Sequence, residues 1–144
     1  ETALTKQVSD NKPVVGYWNA KGNKDAKLNI IFTPEKGFFD SSVFQLVKGG
    51  IAVKVLKPGM YRIELVILNE LDKYHQYLIL KVNNDYIVNG YNTVTKGGFS
   101  NNYLPHTMEL QAGDEVSYFF PKSVRSEIIS TGLIYNRLYI TKLY

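Results

Sequence analysis

The sequence predicts an all-β protein, and three observations carry that expectation. From Pro13 onward nearly every segment is a run of about four to nine β-branched and aromatic residues, closed by Gly, Pro, Asn or Asp. No window of about 11 residues carries the apolar i, i+3, i+4, i+7 stripe of an amphipathic helix. About eight to ten such runs recur at spacings of about 8 to 15 residues, the rhythm of a two-sheet sandwich or a jelly roll.

Residues 1–13 carry little apolar material and read as a tail or the end of a stalk; residues 14–144 read as one domain. The chain starts at Glu1, so a segment ahead of it in a longer polypeptide is expected. "VVGYWNA" (14–20) is the first strand, and the polar turn "KGNKD" separates it from "KLNIIF" (27–32). "TPEKG" breaks the chain before the bulky, irregular "FFDSSVFQLVKGG". "IAVKV" (51–55) alternates, with Ile51, Val53 and Val55 facing one way and Ala52 and Lys54 the other, and delivers the chain to the turn Pro58-Gly59.

In "MYRIELVIL" (60–68), Tyr61, Ile63, Leu65 and Ile67 share one wholly apolar face. The opposite face holds Met60, Arg62, Glu64, Val66 and Leu68, so it begins polar and ends apolar. The predicted strand packs on a second sheet and is covered on its far side as well, by its own chain or by another copy. "NELDKYH" (69–75) is a polar loop. "QYLILKVNN" and "DYIVNGYNTV" form a hairpin whose Asn83-Asn84-Asp85 corner suits a positive φ. Lys96 to Pro105 reads as a long Gly- and Asn-rich connection. "TMELQAGDEVSYFF" supplies a strand, a turn closed by Asp114, and a strand with Val116, Tyr118 and Phe120 on one face. "PKSVRSE" leads to the closing runs "IIST" and "GLIYNRLYITKLY".

Composition narrows the function classes. With no cysteine there is no disulfide, thiolate nucleophile or Cys-based zinc site. His75 and His106 are the only imidazoles and lack metal-ligand spacing; no serine sits in a nucleophile elbow. Gly49-Gly50 and Gly97-Gly98 lack the helix and Lys-Ser/Thr of a phosphate cradle. These absences predict a protein that is not an enzyme and needs neither metal nor cofactor. The net charge of +4 rests on 14 scattered Lys and three Arg, a pattern that predicts no nucleic-acid partner. No apolar stretch approaches the roughly 20 residues of a membrane helix, so no membrane insertion is expected.

Three features stand in order: "PGMYRIEL", with Pro58-Gly59 ahead of Tyr61; "MELQAGDEV", with Leu110, Gly113, Asp114 and Val116; and the apolar closing strand "GLIYNRLYITKLY". Together they resemble the tumour-necrosis-factor-like superfamily, particularly the globular heads of the complement q-subunit type and their bacterial collagen-tip relatives. The resemblance spans residues 14–144. It departs at Asn136 and Arg137, where such heads carry small and apolar residues around a Gly-Phe pair.

The resemblance implies a ten-stranded jelly-roll sandwich assembled as a compact homotrimer, with the N-termini gathered on one side. Nineteen aromatic residues, 11 of them Tyr, agree with mutual burial between copies. Tyr61, Tyr118, Phe120 and Tyr139 are the expected threefold interface. His75, Phe99, Tyr103, Lys122 and Arg125 are the expected contacts to a protein or glycan receptor, outside the cell or on its surface. Two alternatives stand beside this reading. One is a structural trimerisation head of a capsid, spore coat, tail fibre or stalk tip. The other is a monomeric carbohydrate-binding sandwich, with Trp18 and Tyr17 as the start of its platform.

Overall fold

The computed structural model describes residues 12–24, 29–71, 75–93, 99–120, 126–128 and 136–144. They form eleven strands: β1 (Val14–Lys24), β2 (Ile30–Phe38), β3 (Phe44–Val47), β4 (Ala52–Val55), β5 (Gly59–Leu71), β6 (His75–Val82), β7 (Asp85–Thr93), β8 (Phe99–Leu110), β9 (Glu115–Phe119), β10 (Ser126–Ile128) and β11 (Arg137–Lys142). Ten have four or more residues, and β10 is a three-residue strip beside β5. The one helical element among the described residues is the short 3-10 turn Lys48–Gly50.

Every described pairing is antiparallel, in two sheets. The six-stranded sheet runs β8, β5, β11, β1, β2, with β10 flanking the far end of β5 on the β11 side. The five-stranded sheet runs β3, β4, β9, β6, β7. The chain crosses from one sheet to the other at β2–β3, β4–β5, β5–β6, β7–β8, β8–β9 and β9–β10. This is the jelly-roll sandwich expected from the sequence.

The inward rows of the two sheets interdigitate in one core, because alternate residues of each strand point the same way. Tyr61, Ile63, Leu65 and Ile67 of β5 are all fully buried. So are Leu138 and Ile140 of β11, Val116 and Tyr118 of β9, and Val53 and Val55 of β4. An aromatic cluster fills the end of the sandwich near the start of β1. Trp18 stacks on Phe39 at 5.4 Å and meets the edge of Phe44 at 5.4 Å, and Phe44 meets Tyr61 at 6.2 Å.

Four expectations change: β1 runs through Lys24 where a polar turn was expected, β5 through Leu71 and β6 from His75 take up both ends of the expected loop 69–75, and the other two concern β2 and β8. The segment "TPEKG" does not end β2. Tyr17 pairs with Phe38 and Asn19 with Thr33, so residues 34–37 bulge from an edge strand and Lys36 takes φ 55°. The expected connection Lys96 to Pro105 is mostly strand, since β8 starts at Phe99 and pairs with β5 from Glu70 to Gly59. Its polar residues carry little strand propensity, but the unpaired edge of β5 supplies a continuous row of hydrogen-bonding partners, and tertiary pairing prevails. Pro105, opposite Glu64, is tolerated because β8 lies at the sheet edge.

Candidate functional site: the outward face of the six-stranded sheet

On a sheet packed on one side only, the opposite face normally alternates polar residues. Here it does not. The register brings Phe38, Tyr17, Tyr139, Glu64 and Pro105 into one row across β2, β1, β11, β5 and β8. Flanking rows hold Asn19, Arg137, Val66 and Tyr103, and then Val15, Thr141, Arg62 and Thr107.

The aromatic half of this face is continuous. The Tyr17 ring lies 6.2 Å from Phe38 and 6.0 Å from Tyr139. The Arg137 guanidinium sits 4.9 Å above the Tyr17 ring, and its Nε donates to Asn19 Oδ1 at 3.2 Å. The Asn19 amide donates in turn to the Glu35 carbonyl at 2.6 Å, which ties the β2 bulge to the sheet. Phe38 is 63% exposed, Tyr103 53% and Val15 43%, so among the described residues three of the five exposed large hydrophobics lie on this one face.

A charged cluster interrupts the face at β5 and β8. Arg62 Nε lies 3.1 Å from Glu64 Oε1. The Tyr103 hydroxyl donates to Glu64 Oε2 at 2.7 Å and accepts from an Arg62 Nη at 3.4 Å. That hydrogen bond first, and the Glu64 charge second, raise the Arg62 guanidinium above its ordinary value.

The sequence-predicted residues divide between core and surface. Tyr61, Tyr118 and Phe120, expected between copies, are enclosed by their own chain and offer a neighbour no surface. Their position on the inward rows is the physical reason, and the core also takes their polar ends: the Tyr61 hydroxyl donates to the Lys57 carbonyl at 2.6 Å and the Tyr118 hydroxyl to the Leu104 carbonyl at 3.4 Å. Tyr139 alone of the four lies half-exposed on the outward face. Tyr103, expected as a loop contact, is a strand residue on that same face. Phe99 opens β8 and His75 opens β6. Lys122 and Arg125 lie outside the described residues. Trp18 is fully buried and gives no stacking platform. Sequence reasoning missed Phe38, Tyr17, Arg62 and Glu64 as members of one surface. The alternation of β5 placed Arg62 and Glu64 on the outward side, but the register joining β2 and β1 to β11 was not readable.

The registers also sort the ends of the sandwich. β5 leaves at Leu71, β6 starts at His75, β7 finishes at Thr93, β8 starts at Phe99 and β10 starts at Ser126, opposite Leu71, all at one end. β1 starts at Val14, opposite Lys142, which pairs with Tyr61 at the other end.

No protein-family model matches the sequence, and no curated protein matches it. Solved structures do match the fold. Eiger TNF from S. frugiperda superposes with a TM-score of 0.71 over 92% of this chain and 93% of that one, at 12% identity. Murine APRIL at pH 8.0 superposes with a TM-score of 0.70 over 92% of this chain and all of that one, at 14% identity; its pH 5.0 structure gives 0.71. The chain therefore has a TNF-like fold, as the order of its two turns and closing strand implied.

Proposed function

We propose that this chain is a non-enzymatic recognition module that assembles as a homotrimer through the outward face of the six-stranded sheet and binds a protein or glycan ligand outside the cell or on its surface. One observation carries the reading. The row Phe38, Tyr17, Tyr139, with Val15 and Tyr103 beside it, leaves apolar area in water on a single sheet face, where burial against copies of itself removes it. The TNF-like fold supports the same arrangement through the compact trimer that the sequence resemblance implies.

His75, Phe99, Lys122 and Arg125 stay proposed as ligand contacts. The strand ends that lead to residues 72–74, 94–98 and 121–125 gather at one end of the sandwich, away from Val14, so three copies side by side would present three such clusters together. Tyr103 moves from the ligand contacts to the assembly face.

Light scattering on a sizing column at micromolar concentration tests the assembly. The expected result is a three-chain mass that falls to one chain in Tyr139→Glu, with an unchanged circular-dichroism spectrum. A single-chain mass for the parent protein overturns the reading. A glycan and cell-surface binding screen tests recognition: binding lost in Lys122→Ala and Arg125→Ala supports it, whereas silence across the screen from a stable trimer favours the purely structural head.

A further inference from the structure

The geometry points to Arg62 and Glu64 as a charge lock between copies: on each contact, Arg62 of one copy reaches Glu64 of the next, and this pairing sets how the copies register. The inference rests on the outward face being the self-association surface.

An ion pair beside an aromatic patch is costly to bury unless its remaining valences are met. Among the described residues of one chain they are only partly met. A guanidinium carries five N–H donors, and Arg62 directs one toward Glu64 and one toward Tyr103. Each Glu64 oxygen receives one partner, Oε1 from Arg62 and Oε2 from Tyr103, and keeps a second lone pair. The two side chains remain 49% and 25% exposed, so their unspent groups point toward whatever covers the face. The occupant must therefore present an anion and a cation about as far apart as these two. A second copy of this chain does so by construction, and head-to-tail closure lets every copy give one Arg62 and receive at one Glu64. Tyr103, bonded to both, holds the pair in register with β8. Of the other outward charges near by, Arg137 is turned toward Tyr17 and Asn19, and Glu109 of β8 accepts from the Gln111 side-chain amide at 3.4 Å.

Charge reversal tests the lock. Arg62→Glu and Glu64→Arg are each expected to weaken self-association by about 30-fold or more, because each contact then opposes like charges. The double variant R62E/E64R is expected to regain the parent mass. An equimolar mixture of the two single variants is expected to form species containing both, read by native mass spectrometry; a pair that acts only within a chain would not drive such mixing. Burial of Trp18, read from its fluorescence, confirms that each variant is folded. The lock is overturned if either single variant assembles with parent affinity, or if the mixture stays monomeric while the parent protein associates. A parent protein that is monomeric throughout removes the assembly face itself, a distinguishable failure.

Discussion

Asn83 and Asp114, 31 residues apart, clasp two turns together: the Asn83 amide donates to Asp114 Oδ1 at 3.0 Å. Asn83 Oδ1 accepts from the Glu115 N–H at 3.0 Å, and Asp114 Oδ2 accepts from the Gln111 N–H at 2.8 Å. Asn83 also holds φ 56°, a conformation that Asn tolerates and Ala resists. Asn83→Ala is therefore expected to cost about 1–3 kcal/mol in urea unfolding, through lost hydrogen bonds and backbone strain together. Asn83→Gly, which removes only the hydrogen bonds, should cost less. A double-mutant cycle with Asp114→Ala should show coupling of at least about 0.5 kcal/mol, and strict additivity would refute the clasp.

Gly50 and Gly113 share a positive φ, 99° and 96°, but not a neighbourhood. A Cβ at Gly50 would fall against the carbonyl oxygen of Phe32, whereas at Gly113 it meets nothing within 4 Å. Gly113→Ala should cost only the backbone strain, about 1–2 kcal/mol. Gly50→Ala should cost clearly more, because backbone cannot swing away as a flexible side chain can. Equal unfolding midpoints for the two variants would contradict this account.

The single tryptophan, Trp18, is fully buried, and its Nε1 is the only fully buried side-chain nitrogen or oxygen among the described residues without a hydrogen-bond partner. Leaving such a donor unpaired costs about 1–3 kcal/mol. Trp18→Phe removes that cost while opening some space, so the two effects oppose. Its net penalty should fall well below the roughly 3–5 kcal/mol of a Trp→Ala change in a core. Thermal unfolding of Trp18→Phe beside Trp18→Ala checks the difference, and matching losses would mean that volume alone decides.

The fold was legible where alternation and turn chemistry act locally. β4, β5 and β9 bury the rows that their sequences mark, and Asn83 and Asp114 take the turn roles that their side chains favour. The end of β8, from Thr107, was read as strand, but its first part was not legible, because Ser100, Asn101 and Asn102 pair as strand only against the edge of β5. The outward face was half legible for a related reason. Abundant tyrosine signalled surface to be covered, but periodicity alone does not say which aromatic rows face the second sheet. Tyr61 and Tyr118 were therefore exchanged with Tyr17 and Phe38, whose place depends on the β1–β2 and β1–β11 registers.

Burial of Tyr61 and Tyr118 predicts how the protein responds to alkali. Burial pushes Tyr61 up to about 12 and Tyr118 higher than its ordinary value, the Glu64 charge adding to the second. Both groups are neutral in the folded and unfolded chain below about pH 10, so they leave stability unchanged there. Above that, the unfolded chain releases the two protons and the folded chain keeps them, so stability falls as pH rises from about 10 toward 12. Each group contributes at most about 1.4 kcal/mol per pH unit to that fall. Urea midpoints measured from pH 8 to 11.5 should bend downward near pH 10 in the parent protein and less steeply in Tyr61→Phe. Tyr61→Phe also loses the bond to the Lys57 carbonyl, worth about 0.5–1.5 kcal/mol at neutral pH. The two curves are thus expected to start apart and converge. Curves that stay parallel would mean that the Tyr61 hydroxyl ionises as freely in the folded chain as in the unfolded one.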